Sequence, residues 1–410
     1  MTTSLEELAE QTPATRDRYV DFLRAASIVT VVLGHWFIGI IWWQQGLIRT
    51  TSAIGVTSYM WLGTWVFQVM PIFFFVGGFS NLVTYDSFKR RGESTWAFIR
   101  SRLVRLLKPS LVFLAVWTVV QVVLHLADVG RPEGIRLWDG TRMLRGVLTP
   151  AATVPFGPLW FLAVYIVVVA ISPVTIRLHR RFGIWVPVAF AVATIVVDVI
   201  GFGLGHPAVR YANVVFVLLF PHQLGHFYAE GRFRGKRRTF AAMAVLGLAA
   251  LVLLTNPPLF RLLGGSARFR WFPTIGAYPK SLLGTDAEPI SNAYPPTVCY
   301  LAVGIFTIGL AMLLRERLTR WLQRERPWKA VIFTNSVIMT LFLWHMTAYL
   351  ISILLLWPLG FGGEHDSTAR WWLERPLWEI APALFLALIV VLVGRFERPK
   401  PRSPQASSAR

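Results

Sequence analysis

The 410 residues are 55% hydrophobic and only 15% charged, with a net charge of +20 and a single cysteine, Cys299. Such a composition excludes an ordinary soluble domain. One cysteine excludes an internal disulfide and gives no zinc pattern. A basic chain might suit nucleic acid, but the distribution of this charge argues for membrane topology and against a nucleic-acid partner.

Residues 1–18 form a polar, acidic cytoplasmic lead with no cleavable signal peptide expected. Ten apolar runs follow, at roughly 19–43, 57–84, 109–128, 159–177, 183–204, 209–229, 239–256, 296–315, 330–357 and 374–395. They predict one all-α, polytopic membrane domain over 19–395, in a multi-pass protein of the cell membrane. No internal repeat is evident. Residues 396–410 are basic and rich in Pro and Ser, a composition expected to stay disordered.

Most of the 41 Lys and Arg residues fall in alternate connections. They include Lys89, Arg90, Arg91, Arg100, Arg102, Arg105 and Lys108, then Arg177, Arg180 and Arg181, then the runs at 232–238 and 315–329. The positive-inside rule makes these connections, and both termini, cytoplasmic. Trp42, Trp43, Trp357, Trp371, Trp372 and Trp378 fall at the opposite ends, as an interfacial belt or as rings for stacking carbohydrate. The long outer connections 129–158 and 257–295 suit either lids or structural caps.

The first run carries Asp21, Arg24 and His35, although charge inside a span is costly and tends to face a cavity or a partner. Arg24 and His35, eleven residues apart, lie on one helix face and ~16 Å apart along the axis. Asp21 shares that face. The structural alternative is a helix-end ion pair plus one buried histidine. From the cytoplasmic side, His35 lies ~24 Å along the first span and His345 of L-F-L-W-H-M-T ~22 Å along the ninth, with Asp198 of the fifth at a similar depth. If the three meet, they make a general base with an orienting acid; if not, each is a locally bonded polar residue.

The second span, P-I-F-F-F-V-G-G-F-S-N, places Gly77 and Gly78 where helices can approach closely. In F-I-R-S-R-L-V-R-L-L-K-P, read as a loop, Arg102, Arg105 and Lys108 recur about one helical turn apart. That row could hold phosphates or serve only to fix orientation. The sixth span has His222 and His226 four apart, a spacing that can hold a metal. With no cysteine and no third ligand in view, no metal site is expected, and helix packing or a cytoplasmic-side substrate contact is the preferred reading.

D-F-L-R-A-A-S-I-V-T-V-V-L-G-H resembles the signature of the integral-membrane acyltransferase-3 family, an arginine and a histidine separated by ten residues in the first helix. F-F-F-V-G-G-F, the basic segment, G-P-L-W-F-L-A-V-Y and L-F-L-W-H-M-T continue the match in order. One departure is Gly77, where many members have serine; another is the lack of a fused extracytoplasmic esterase-like domain. The resemblance implies transfer of an acyl group, often acetyl, from cytoplasmic acyl-CoA to a hydroxyl of a sugar, glycolipid, cell-wall component or secondary metabolite. Acyl-CoA would be a co-substrate, with no permanently bound cofactor. His35 and Arg24 match the family's essential pair; Asp198, from its depth and not from the resemblance, would be the orienting acid. Arg24, Arg102, Arg105 and Lys108 would seat the donor, and Trp160 and His345 would line the substrate site. Direct transfer and an acyl-enzyme route both stay open. The alternative reading is a proton-coupled transporter or flippase of a lipid-linked saccharide or small molecule, although transporters commonly show inverted repeats.

Overall fold

A computed structural model describes residues 16–44, 47–126, 155–256, 278–284, 291–394 and 397. The expectations for residues 1–15, for most of both long outer connections and for the tail other than Glu397 lie outside the described residues, as do the side chains of Trp42, Trp43 and Trp357.

Among the described residues, ten long helices appear where the apolar runs predict them. They are α1 (Arg18–Ile38), α2 (Met70–Arg90), α3 (Thr95–Leu126), α4 (Leu159–Phe182), α5 (Trp185–Asp198), α6 (Asn213–Ala229), α7 (Arg237–Thr255), α8 (Val298–Trp321), α9 (Ile338–Leu356) and α10 (Ala369–Val393). Among the described residues, nine helical segments are long and apolar enough to cross a bilayer. The tenth helix, α6, has only 17 residues and is buried along most of its length. A bilayer leaves the backbone no water to bond, which is why apolar runs of this length satisfy themselves as helices.

Several boundaries differ from expectation. The second run, expected from residue 57, opens with a separate six-residue helix, Trp61–Val66, before α2. The first helix stops at Ile38, and Gly39–Gln44 (β1) pairs antiparallel with Leu47–Ser52 (β2). Gly39 lies so close to the Tyr349 hydroxyl that any Cβ there would collide with it. The basic segment read as a loop is instead the start of α3, a 32-residue helix that absorbs Pro109. The ninth run divides into a short helix, Glu325–Ser336, and α9. The short helix buries Trp328, Val331, Ile332 and Asn335, one face at i, i+3, i+4 and i+7 spacing. Glu397 covers the start of α9, accepting from Met339 N at 2.8 Å, Thr340 N at 2.9 Å and Thr340 Oγ1 at 2.8 Å. Burial raises its carboxyl above the usual range, against the pull of these bonds.

α1 is the hub, packed on α2, α9, α10 and the short helix. Asp17 caps it by accepting from Tyr19 N and Val20 N, at 3.0 and 3.1 Å. The same carboxylate accepts from Tyr228 Oη at 2.8 Å, and that hydroxyl accepts from Arg315 Nε at 2.9 Å. The basic end of α1 is thereby tied to α6 and α8. At its other end Arg375 of α10 donates from Nη1 to the carbonyls of Trp36, Phe37 and Gly39, at 3.4, 3.3 and 3.1 Å. Those are carbonyls that a helix terminus leaves without partners. α2 crosses α6 backbone to backbone: a Cβ on Gly78 would strike the His222 carbonyl, and one on Gly225 the Phe75 carbonyl. The close approach expected from the Gly77–Gly78 pair is therefore made by Gly78.

Candidate active site

The polar stripe of α1 begins at its basic end. Asp21 is buried; Arg16 Nε donates to its Oδ2, and Arg24 Nη1 lies 3.6 Å from its Oδ1. Arg24 also donates from Nη2 to Ser80 Oγ of α2 at 2.6 Å. Arg102 and Arg105 of α3 stand within electrostatic reach of Arg24. Arg105 in turn faces Glu397, and Arg102 acts on His222. Four arginines against Asp21 and Glu397 leave an excess of positive charge and guanidinium donors, a setting suited to phosphate groups. Lys108, further along α3, is exposed.

Three turns along the same face stands His35. Its ring centroid is 5.2 Å from that of His345 on α9. His35 Nδ1 lies 2.7 Å from Val31 O, and His345 Nδ1 lies 2.8 Å from Phe342 O. A carbonyl only accepts, so each Nδ1 carries the proton and each Nε2 of the neutral ring keeps its lone pair. His35 is half-buried, whereas His345 is fully buried with Nε2 lacking a partner among the described residues. Trp36 Nε1 donates to His345 O at 3.1 Å and locks the two helices in register. The equal depth expected for these histidines is thus realised as a ring contact.

Asp198 does not join them. It accepts from Asn213 Nδ2 at 2.9 Å, Tyr278 Oη at 2.8 Å and Val298 N at 2.9 Å. This is a correction to the expected orienting acid. The carboxylate has found the three donors that a buried charge requires, and it fastens the segment before α8 to the end of α5. Backbone carbonyls do the orienting instead. Trp160 is half-buried against Phe161, and Phe161 packs on Phe342, whose ring neighbours His345. Trp160 therefore lies on the same aromatic wall as the histidine pair, at one remove.

His222 and His226 make neighbours other than a metal. His222 Nε2 lies 3.1 Å from Asn81 Nδ2, and His226 Nδ1 lies 3.2 Å from Gln223 Oε1. His179 adds a third ring, 5.2 Å from His226 and with Nε2 3.2 Å from Glu230. Among the described residues no three His, Cys, Asp or Glu groups are arranged to hold a metal.

Sequence reasoning missed Ser80, Tyr165 and Arg375. Tyr165 lies within electrostatic reach of Arg24, and its ring occupies the space that a Cβ on Gly77 would need. Gly77 is thus matched to a tyrosine on α4. Arg375 was hidden in a segment whose tryptophans suggested an interfacial belt or carbohydrate stacking.

Searches for similar curated proteins and for similar solved structures returned no match. The family model of acyltransferase 3, described as an acyltransferase domain, matches residues 17–395. That range runs from the cap of α1 past the end of α10 and includes Arg24, Arg102, Arg105 and the histidine pair. The chain belongs to the acyltransferase-3 family and is a multi-pass membrane acyltransferase.

Proposed function

We propose that this acyltransferase takes its acyl group, acetyl in the simplest case, from acyl-CoA and delivers it to a hydroxyl of a carbohydrate, lipid or metabolite acceptor. The observation carrying the proposal is one helix face that presents Arg24 to a phosphate-suited arginine cluster and, ~16 Å further on, a half-buried imidazole whose Nδ1 is held by a carbonyl. The basic end is the cytoplasmic end by the positive-inside rule, so the donor enters there and the acceptor from the opposite side. Arg24, Arg102 and Arg105 hold the phosphates, which cannot enter lipid, and the pantetheine arm extends along the stripe.

At His35 the lone pair of Nε2 takes the proton of the acceptor hydroxyl as its oxygen attacks the thioester carbonyl. The C–S bond breaks, the thiolate takes the proton from the imidazolium, and the ester and CoA leave. The Nδ1–carbonyl bond holds the ring in the tautomer this requires. His345 gives the transient imidazolium a polar neighbour in an otherwise apolar setting.

The test is release of CoA from radiolabelled acetyl-CoA by membranes containing the protein. His35→Ala is expected to reduce release by 10²–10⁴-fold, the usual contribution of a positioned base. Equal release by wild type and variant would remove His35 from the chemistry. The transporter reading predicts substrate movement without any CoA release.

A further inference from the structure

Arg24 carries N–H donors in a rigid plane, and the direction that plane faces decides what the arginine can bind. Its nearest acid along the chain is Asp21, one turn earlier, at the i,i+3 spacing at which opposite charges pair on a helix face. The structure does not make that pair tight. Arg24 Nη1 stops 3.6 Å from Asp21 Oδ1, while Arg16 Nε donates to Oδ2 of the same carboxylate. The close bond of Arg24 is to a neutral group on another helix: Nη2 donates to Ser80 Oγ of α2 at 2.6 Å. The Arg24 side chain stays 25% exposed, against 8% for Asp21.

Charge-assisted bonds are the stronger ones, so an arginine left to itself would fold onto the carboxylate beside it. It would also move away from Arg102 and Arg105, which stand within electrostatic reach and repel it. Ser80 acts against both tendencies. A hydroxyl accepts the guanidinium N–H without cancelling its charge, which leaves the other donors available. The face of α2 that supplies Ser80 is shaped to admit its neighbours. Gly77, one turn before Ser80, leaves the space that the Tyr165 ring fills; a Cβ there would come 2.9 Å from that ring. Tyr165 lies within electrostatic reach of Arg24. Helices α2 and α4 thus each bring one hydroxyl-bearing side chain to the surroundings of Arg24.

We propose that Ser80 is a positioning residue for the donor: its hydroxyl holds the Arg24 guanidinium off Asp21, so that Arg24 grips the phosphates of the thioester donor together with Arg102 and Arg105. This inference rests on the acyl-CoA reading above. It makes the preference for a phosphorylated donor over a phosphate-free one depend on an uncharged side chain of α2.

The experiment compares acetyl-CoA with S-acetylpantetheine, which keeps the thioester and the arm but lacks every phosphate. Membranes containing wild type or a variant receive each donor, and kcat/KM is read from thiol release in excess of that by His35→Ala membranes. The ratio between donors cancels any loss of folded protein. Wild type should favour acetyl-CoA, and Ser80→Ala should lower that preference by about tenfold, the size of one hydrogen bond to a charged group. Ser80→Thr and Ser80→Val have the same shape and differ only in the hydroxyl. The threonine variant should keep the preference and the valine variant should lose it by about the same factor. In an Arg24→Gln background, Ser80→Ala should change the ratio by less than about twofold, because its partner is already gone. A ratio that Ser80→Ala and Ser80→Val both leave at the wild-type value overturns the inference. An equal loss in the Arg24→Gln background also overturns it, since Ser80 would then act by another route. Wild type that does not distinguish the donors, or releases no thiol in a His35-dependent way, overturns the donor reading itself and the inference with it, so the two failures are told apart.

Discussion

The molecule contains two groupings of buried histidines, and they are built differently. In the His35–His345 pair each ring is fixed by a carbonyl of its own helix, and His35 reaches open space. In the His179–His222–His226 group every ring is fully buried, and the neighbours are side chains: Asn81, Gln223 and Glu230. The first arrangement sets a tautomer and leaves one lone pair available. The second spends its rings on holding α4 and α6 together where α2 crosses. Burial and ring contact are common to both, so neither distinguishes chemistry from packing. What distinguishes them is access, which His35 alone of these rings has.

The sharpest way to break this comparison is to exchange the roles. His35→Ala should abolish transfer by 10²–10⁴-fold with little effect on thermal stability. His226→Ala should do the reverse, lowering the melting temperature in detergent while kcat per folded molecule stays within a few fold. If His226→Ala is as inactive as His35→Ala but just as stable as wild type, the two groupings are not different in kind. A smaller effect is expected at Arg375. Replacing it with alanine releases three carbonyls just past His35, so kcat should fall about tenfold while the KM for acetyl-CoA stays constant, since the donor's phosphates sit at the other end. Arg375→Lys should recover part of the loss, because one ammonium can still reach a carbonyl but not fork across three. A rise in donor KM instead would show that the clamp does not act through His35. The smallest effect on turnover is expected for Asp198→Asn. It should cost about 1–3 kcal/mol of stability through its lost charge-assisted bonds and leave kcat unchanged. A drop in kcat with full stability would return Asp198 to the chemistry.

The sequence made the axial coordinate readable and left the lateral one hidden. Helical periodicity puts Arg24 and His35 on one face, and counting residues from the basic connections puts His345 and His35 at one depth; both are found. The same counting gave Asp198 that depth as well. Which helix stands beside which is decided by backbone approaches such as Gly78 on Gly225 and by cross-helix bonds such as Trp36 to His345. A hydropathy profile contains neither. The end of α1 was misread for a similar reason. G-I-I-W-W is apolar enough to continue a span, but Gly39 is required by the Tyr349 hydroxyl on another helix. Arg375 offered no spacing signal at all, because its hold on the end of α1 exists only once α10 is packed there.

The crossing of α2 and α6 leaves no side chain between the two backbones. Such a joint has nothing to compress and no rotamer to turn, so it behaves as a rigid axle within the bundle. α10, by contrast, lies along α9 and meets the hub through the forked side chain of Arg375 and aromatic packing. The end of α1 that carries His35 is thus held by a side chain with rotamers to turn, whereas the crossing of α2 and α6 has none.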